Sequence, residues 1–247
     1  MNYFLILTFL FAIGSMTGWG IEVIYRRFVS QKHWVNPGFL AGPCLPLYGF
    51  SLCILYLLAQ LEDRLPIDDL AWRKAVLFVL MAAAITALEY TVGRVMIAAT
   101  HVRLWDYSEH WGNIQGIICP LYSFFWMLLS ATYYFFVHPH ILDALAWLSQ
   151  NLAFSFGIGF FYGILVIDFS YSAQIVRKIR LYADEKQIVV RLEGLREQIR
   201  SELEARKPRF VLSLKTDRPF NEILEEYAER LNARRKKNEK LEMRSEK

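Results

Sequence analysis

Charge is scarce over the first two thirds of the chain: up to and including Asp168 there are 8 Lys and Arg against 10 Asp and Glu, a net of −2. Nucleotide chemistry is missing as well. No GxxxxGK[ST] occurs, so this polypeptide cannot by itself cradle and hydrolyse ATP as a P-loop protein does. There is no HExxH, no DxxxD-like cluster and no nucleophile beside a base, which weakens an enzyme reading. The three cysteines, Cys44, Cys53 and Cys119, lie in apolar stretches without CxxC spacing, which argues against a disulfide framework or a thiolate metal site. No cofactor and no metal are expected. The first apolar run lacks a basic leader and a small-residue cleavage site, so it reads as a retained helix.

What fills the chain instead is apolar surface. Hydrophobic residues make up 55% and aromatic residues 15% of the sequence, and the mean hydropathy is +0.23, too high for an ordinary soluble domain. Apolar windows recur at Met1 to Ile21, Gly38 to Leu61, Ala75 to Ala99, Ile114 to Val137 and Ala144 to Ile167. A helix of roughly 20 residues crosses a bilayer core, and only a helix satisfies its backbone hydrogen bonds within one segment. The expectation is an all-α polytopic membrane protein. Five transmembrane helices in residues 1–172 precede a basic helical tail over 173–247.

One stretch occurs twice, from Glu22 to Phe50 and from Glu89 to Phe124. Each copy has a Glu near the end of an apolar run and an Arg five residues later (Arg27, Arg94). Each then has a polar loop with Trp and Asn, and a Gly four positions before Pro-Leu-Tyr (Gly42 and Pro46; Gly116 and Pro120). This reads as an internal duplication of helical hairpins, about 1–61 and 75–137, with a fifth helix at about 144–169 outside it. Two hairpins of equal orientation would be related by a pseudo-twofold axis along the membrane normal.

An ionisable group inside a membrane is costly, so Glu22 and Glu89 are candidate functional residues. Glu22 lies close enough to the interface to be merely solvated, and Arg26, four residues on, shares its helix face. Glu89 and Arg94 are about 140° apart on an ideal helix, so Glu89 needs a partner from another helix, or a proton. The loops hold further candidates. Asn36, Pro37 and Gly38, then Gly42 and Pro43, read as broken backbone entering the second span. In the other copy Trp105, Asp106 and Tyr107 precede Asn113. An Asp between Trp and Tyr suits a headgroup or cation contact, or caps a short interfacial helix. The fifth span, rich in Gly and Phe, reads as a packing or dimerisation helix.

Beyond Asp168 the count becomes 20 Lys and Arg against 14 Asp and Glu, a net of +6. A basic tail beside the last span belongs in the cytoplasm, where it can touch anionic headgroups; with five spans the N-terminus is then outside. The loops from Arg26 to Pro37 and Thr100 to Asn113 face in, and those from Glu62 to Lys74 and His138 to Asp143 face out. Leu181, Ile188, Leu192, Leu195 and Ile199 include a run at heptad spacing, the mark of a coiled coil and of a homodimer through the tail. A second amphipathic segment starts at Asn221 with Ile223, Leu224, Tyr227 and Leu231 on one face. The basic run from Arg234 to Lys237 lacks interleaved aromatics, so nucleic acid is not an expected partner.

The patterns GWGIEVIYRR, NPGFLAGPCLPLYGF, LEYTVGR, LWDYS and NIQGIICPLYSFFW resemble bacterial membrane proteins of the Putative ABC-transporter type IV family, over roughly residues 5 to 137. The resemblance implies a permease-like protein in the bacterial inner membrane. It carries over Glu22, Gly38, Gly42, Pro43, Pro46, Tyr48, Glu89, Trp105, Asp106, Tyr107, Asn113 and Gly116 as candidates. Where relatives have Arg, this chain has Pro37 and Ile117, leaving Arg27, Arg94 and Arg103 as the substitutes for binding an anion.

Three functions compete. The first, ranked highest on the resemblance, is a transport component with a polar cavity open to the cytoplasm, working with a separate ATPase subunit or with proton binding at Glu89. The second is a membrane scaffold or sensor acting through the tail. The third is an intramembrane enzyme on a lipid or isoprenoid headgroup, with Glu22, Glu89 and Asp106 as acid, base or cation ligands and Arg27 and Arg94 holding phosphate.

Overall fold

The computed structural model describes residues 2–204, 222–229 and 233, and it is 77% helical. Helix α1 (Tyr3–Tyr25) begins where the Asn2 side chain accepts from the Phe4 amide, and it runs on through one π-helical turn, Arg26–Ser30. A non-helical loop leads to α2 (Pro46–Ala59). Helix α3 (Leu70–Thr100) is capped by Asp69, which accepts from the Trp72 amide, and ends on His101 in the left-handed conformation. The second loop contains the short strand β1 (Val102–Arg103). It leads to α4 (Pro120–Thr132), a π-turn (Tyr133–Val137) and α5 (His138–Gln150), which together form one rod. Helix α6 (Ser155–Lys186), strand β2 (Val190–Arg191) and α7 (Leu192–Glu204) complete the order, with residues 222–229 forming another helical segment.

Among the described residues four helices are long and apolar enough to cross a membrane: Tyr3–Ser30, Leu70–Thr100, Pro120–Gln150 and Ser155–Lys186. The expected count of five therefore meets four long helices and one short one. The predicted second span from Gly38 to Leu61 is helical only over the 14 residues of α2, about 21 Å against a core of about 30 Å. Gly38 takes φ +75°, and Pro43 and Pro46 lack donors, so the α-helix starts no earlier than Pro46.

The predicted loop from His138 to Asp143 is a second departure. Those residues are helical. Pro139 falls within the first turn of α5, and the preceding π-turn accommodates its missing donor, so the rod continues. The break between rod and α6 falls at residues 151–154 instead, and Ala144 to Gln150 belong to the rod rather than to the fifth helix.

Helices α1 and α2 meet at glycines. A Cβ on Gly18 would lie 2.2 Å from the Tyr48 Cβ, and one on Gly49 would lie 2.2 Å from the Ser15 hydroxyl. Around this contact Leu10, Leu55, Leu77, Met81, Ile85 and Leu145 form the membrane core. On the outside Phe136, Phe156, Phe160 and Ile167 stand exposed, as lipid-facing side chains do.

A second core lies beyond the spans. At 32 residues, α6 is about 48 Å long, so its last turns project past a bilayer. There Val176, Ile179 and Ala183 pack with Val102, Val190, Leu192, Leu195, Ile199, Ile223 and Tyr227. Strands β1 and β2 pair in parallel, Val102 against Val190 and Arg103 against Arg191. The heptad run does not form one coiled-coil helix. The chain reverses at Gln187, φ 52°, leaving Leu181 61% exposed on α6 while Leu192, Leu195 and Ile199 are buried against their own chain. The α3–α4 loop and the 222–229 segment supply apolar surface for these side chains within the same chain. Ile223, Leu224 and Tyr227 are buried as one face; Leu231 and the basic run at 234–237 lie outside the described residues.

Candidate functional site

The two hairpins bring two carboxylates into one polar centre inside the bundle. Glu22, near the end of α1, accepts from Arg26 Nε at 2.9 Å through one oxygen and from the Tyr48 hydroxyl at 3.0 Å through the other. Arg26 also donates to Glu193 of α7 at 2.6 Å. Its side chain is 12% exposed, and that of Glu22 is 21% exposed. The i, i+4 spacing alone makes the first contact; the second exists only because the tail folds back across the helix end.

Glu89, on α3, is 2% exposed. Oε1 accepts from the Tyr107 hydroxyl at 3.1 Å. Oε2 has no hydrogen-bond partner among the described residues, and no Lys, Arg or His among them forms an ion pair with this carboxyl. Trp126 lies beside it, and Glu22 is close enough to act on it electrostatically. Aromatic rings surround both acids. Tyr107 stacks on Tyr122, with ring centres 4.1 Å apart and planes 9° off parallel, and Tyr48 meets Trp126 at 5.1 Å. Tyr25 of α1 reaches the Tyr122 hydroxyl at 3.2 Å.

The remaining sequence candidates fall around this centre rather than in it. Asn36, 1% exposed, ties its loop shut: its amide donates to the Leu40 and Ala41 carbonyls and its Oδ1 accepts from Trp19 at 2.6 Å. Asn113 acts alike in the other loop, donating to Ser108 and His110 carbonyls and accepting from the Gly116 amide. Arg27 donates to the Lys32 carbonyl and lies over the Phe28 and Trp34 rings. Arg94 donates to Gln115 at 3.0 Å, and the Trp105 indole to the Ile117 carbonyl at 2.8 Å. Pro46 and Pro120 open α2 and α4. Gly116, φ +67°, cannot carry a Cβ, which would lie 2.3 Å from Arg103 Nη1. Pro37 and Ile117, where arginine was expected, are both buried.

Asp106 is engaged within the protein rather than open to a headgroup. It pairs with Arg103 at 3.0 Å and with Arg191 of β2 at 2.8 Å, and accepts from the Ser108 amide and hydroxyl. Burial alone would raise its pKa, but the Ser108 hydrogen bonds and the Arg191 and Arg103 charges outweigh it and hold it below the ordinary carboxylate value. A carboxyl depressed on folding contributes stability that is fully present above its unfolded value, about 4, and lost as pH falls through the lower folded value. Acidification below about pH 4 is therefore expected to loosen β2 from β1. Hydrogen exchange at the Val190 amide, which donates to the His101 carbonyl at 3.0 Å, reads this. In Asp106→Asn the amide should exchange faster at neutral pH and no longer respond to acid in this range.

Three parts of the site escaped sequence reasoning. Asp168 of α6 accepts from the Ala41 and Gly42 amides, both at 2.9 Å, and so holds the first loop against the last span. Its signal was present, since it is the one acid between Ser155 and Ser172. Tyr122 and Trp126 belong to the motif that follows Pro120 but carry no charge to draw notice. Glu193 and Arg196 left no signal. Arg196 donates to the Asn36 backbone carbonyl from 160 residues away; burial, then the neighbouring Arg26 charge, pushes its pKa down to about 10 against the pull of Glu193.

The model of the family described as Putative ABC-transporter type IV matches residues 9–173, more than half of the chain. The chain belongs to this family. The match takes in both hairpins and the part of α6 that carries Asp168, so it extends past the 5–137 stretch that the motifs alone marked out. No curated protein and no solved structure matches the chain. Family and apolar helices together make this a membrane protein of ABC-transporter-like type.

Proposed function

We propose that this family member is a permease-like transport component, with the polar centre of Glu22 and Glu89 on the path of its substrate. One observation supports this above the rest: a carboxyl group at 2% exposure among membrane helices, with one oxygen unpartnered and no cation beside it. A carboxyl so placed costs several kcal/mol unless protonated or neutralised by a visiting charge, and natural chains keep such groups where they act. The family description points the same way at a coarser level.

In this reading α2 counts as a fifth, short crossing, the N-terminus is outside, and the basic tail lies in the cytoplasm of a bacterial cell, under the inner membrane. The two hairpins are copies of one unit. Each second helix starts on a proline, each loop is closed by an Asn on backbone carbonyls, and each Glu accepts from a phenol. Without a P-loop in the sequence, energy comes from a separate ATPase or from the proton of Glu89.

Reconstitution into liposomes holding a pH-sensitive dye tests the centre, with a panel of organic cations, amino acids, sugars and phosphate esters added outside. At least one class should drive flux that Glu89→Gln lowers tenfold or more. Flux unchanged by that substitution removes Glu89 from the path. A scaffold reading also has a specific observation in its favour, the packing of the post-membrane segments on both hairpin loops through β1–β2 and Arg196–Asn36. Under it, deleting residues 173–247 abolishes activity.

A further inference from the structure

Resting on that reading and making its substrate class specific, we propose that Glu89 and the rings around it form a site for a monovalent organic cation, taken up in exchange for the carboxyl proton. The acids by themselves would not make a site. The deciding feature is the unpartnered Oε2 of a side chain that is 2% exposed and held among tyrosine and tryptophan rings.

The charges around it decide the sign of the ligand. Glu22 is neutralised by Arg26, which also carries Glu193. Tyr48, Tyr107 and Glu22, from α2, the second loop and α1, act on Glu89 or its phenol partner, and Arg26 reaches this group through Tyr48; Tyr122 of α4 stacks behind Tyr107. None of them is a free cation. With Glu89 ionised, the centre therefore carries an uncompensated negative charge in a low-dielectric surround, and an anion is repelled. The faces of phenol and indole rings are electronegative and attract a soft cation without needing its hydration shell. Glu89 meets Tyr107 at its hydroxyl and Trp126 at its indole N–H edge, and these two rings belong to the pairs Tyr107–Tyr122 and Tyr48–Trp126 that a cation at Oε2 would lie beside. No group of three or more His, Cys, Asp or Glu suited to a metal ion occurs among the described residues, so the rings set the preference for an organic cation.

The exchange balances. Glu89–COOH gives its proton to water as the cation arrives, the carboxylate stays in place, and the charge of the centre is the same before and after. Tyr107 sits on a loop rather than in a helix, so its phenol can leave Glu89 without a span unwinding.

Binding, rather than transport, provides the test. Tetraphenylphosphonium is titrated into the full chain in detergent, in weak buffer, while the pH is followed. The expected result is release of about one proton per bound ion and an affinity that strengthens up to tenfold per pH unit until Glu89 is ionised. Glu89→Gln, nearly isosteric, should weaken binding at least a hundredfold and release no proton, and Trp126→Leu should weaken it about tenfold with proton release intact. Glu89→Asp should bind and still release a proton, which separates charge from folding. Absence of binding by the wild-type chain, binding without proton release, or binding by Glu89→Gln within threefold of wild type overturns the proposal. Flux of another solute class without cation binding would overturn this inference alone; cation binding without flux of any solute would overturn the transport reading alone.

Discussion

Arg26→Ala is expected to lower the stability of the protein by about 3 kcal/mol, because it strands the largely buried carboxylate of Glu22. The guanidinium joins Glu22, on its own helix, to Glu193, on the segment folded back from beyond the last span. Exposed ion pairs contribute little, but this arginine side chain is 12% exposed and Glu22 21%. Removing the cation leaves Glu22 with only the Tyr48 hydroxyl, within electrostatic reach of Glu89. Thermal unfolding in detergent measures the loss. The double variant Arg26→Ala, Glu22→Gln should recover about half of it, because the stranded charge rather than the missing contact dominates. A single-variant loss under 1 kcal/mol would show that water already screens the pair. Loss of the tail contact should also appear as faster proteolysis of the segment after Lys186.

The second large effect is expected at Gly18, where α1 lies directly on α2. A methyl there would stand 2.2 Å from both Cβ and Cγ of Tyr48. Those atoms are near the backbone and cannot swing aside, so α2 itself must move. Overpacking of this kind costs about 1–3 kcal/mol for Gly18→Ala, and Gly18→Leu is expected at or beyond the upper end. The displacement also draws the Tyr48 hydroxyl from Glu22, so solute flux should fall along with stability. Gly20 is the control on the same helix. Nothing lies within 4 Å of a Cβ there, and Gly20→Ala should be neutral or stabilise by up to about 1 kcal/mol. Equal effects at both glycines would mean that the α1–α2 contact at Gly18 is not what the substitution disturbs.

Much of the arrangement was legible in local patterns. Helix α1 and helix α3 follow from apolar runs too long for anything but a span, and the non-helical entry to α2 follows from Gly38, Pro43 and Pro46. That Arg94 cannot serve Glu89 follows from angles on one helix; the group that does reach it, Tyr107, comes from a loop rather than from another helix. The misreadings share a cause. His138-Pro139-His140 has the composition of a turn, yet a π-turn upstream lets the rod continue. Leu181 to Ile199 has coiled-coil spacing, yet the chain reverses at Gln187 and the leucines face β1 and the 222–229 segment. Period and composition describe which surface a segment must cover. They do not say which other segment covers it.

By itself the amino-acid order determined an apolar helical membrane chain, its family, the two acidic side chains placed in apolar runs and the lack of a P-loop motif, because each of these is a property of one segment or of its chemistry. Only the tertiary structure decided that Glu22 and Glu89 lie within reach of one another, that Arg26 is shared with Glu193, that Asp168 clamps the first loop, and that Asp106 faces Arg191 rather than a headgroup. Those pairings span up to 167 residues and depend on where helices pack and where the chain turns back, which charge and hydropathy along a line do not encode.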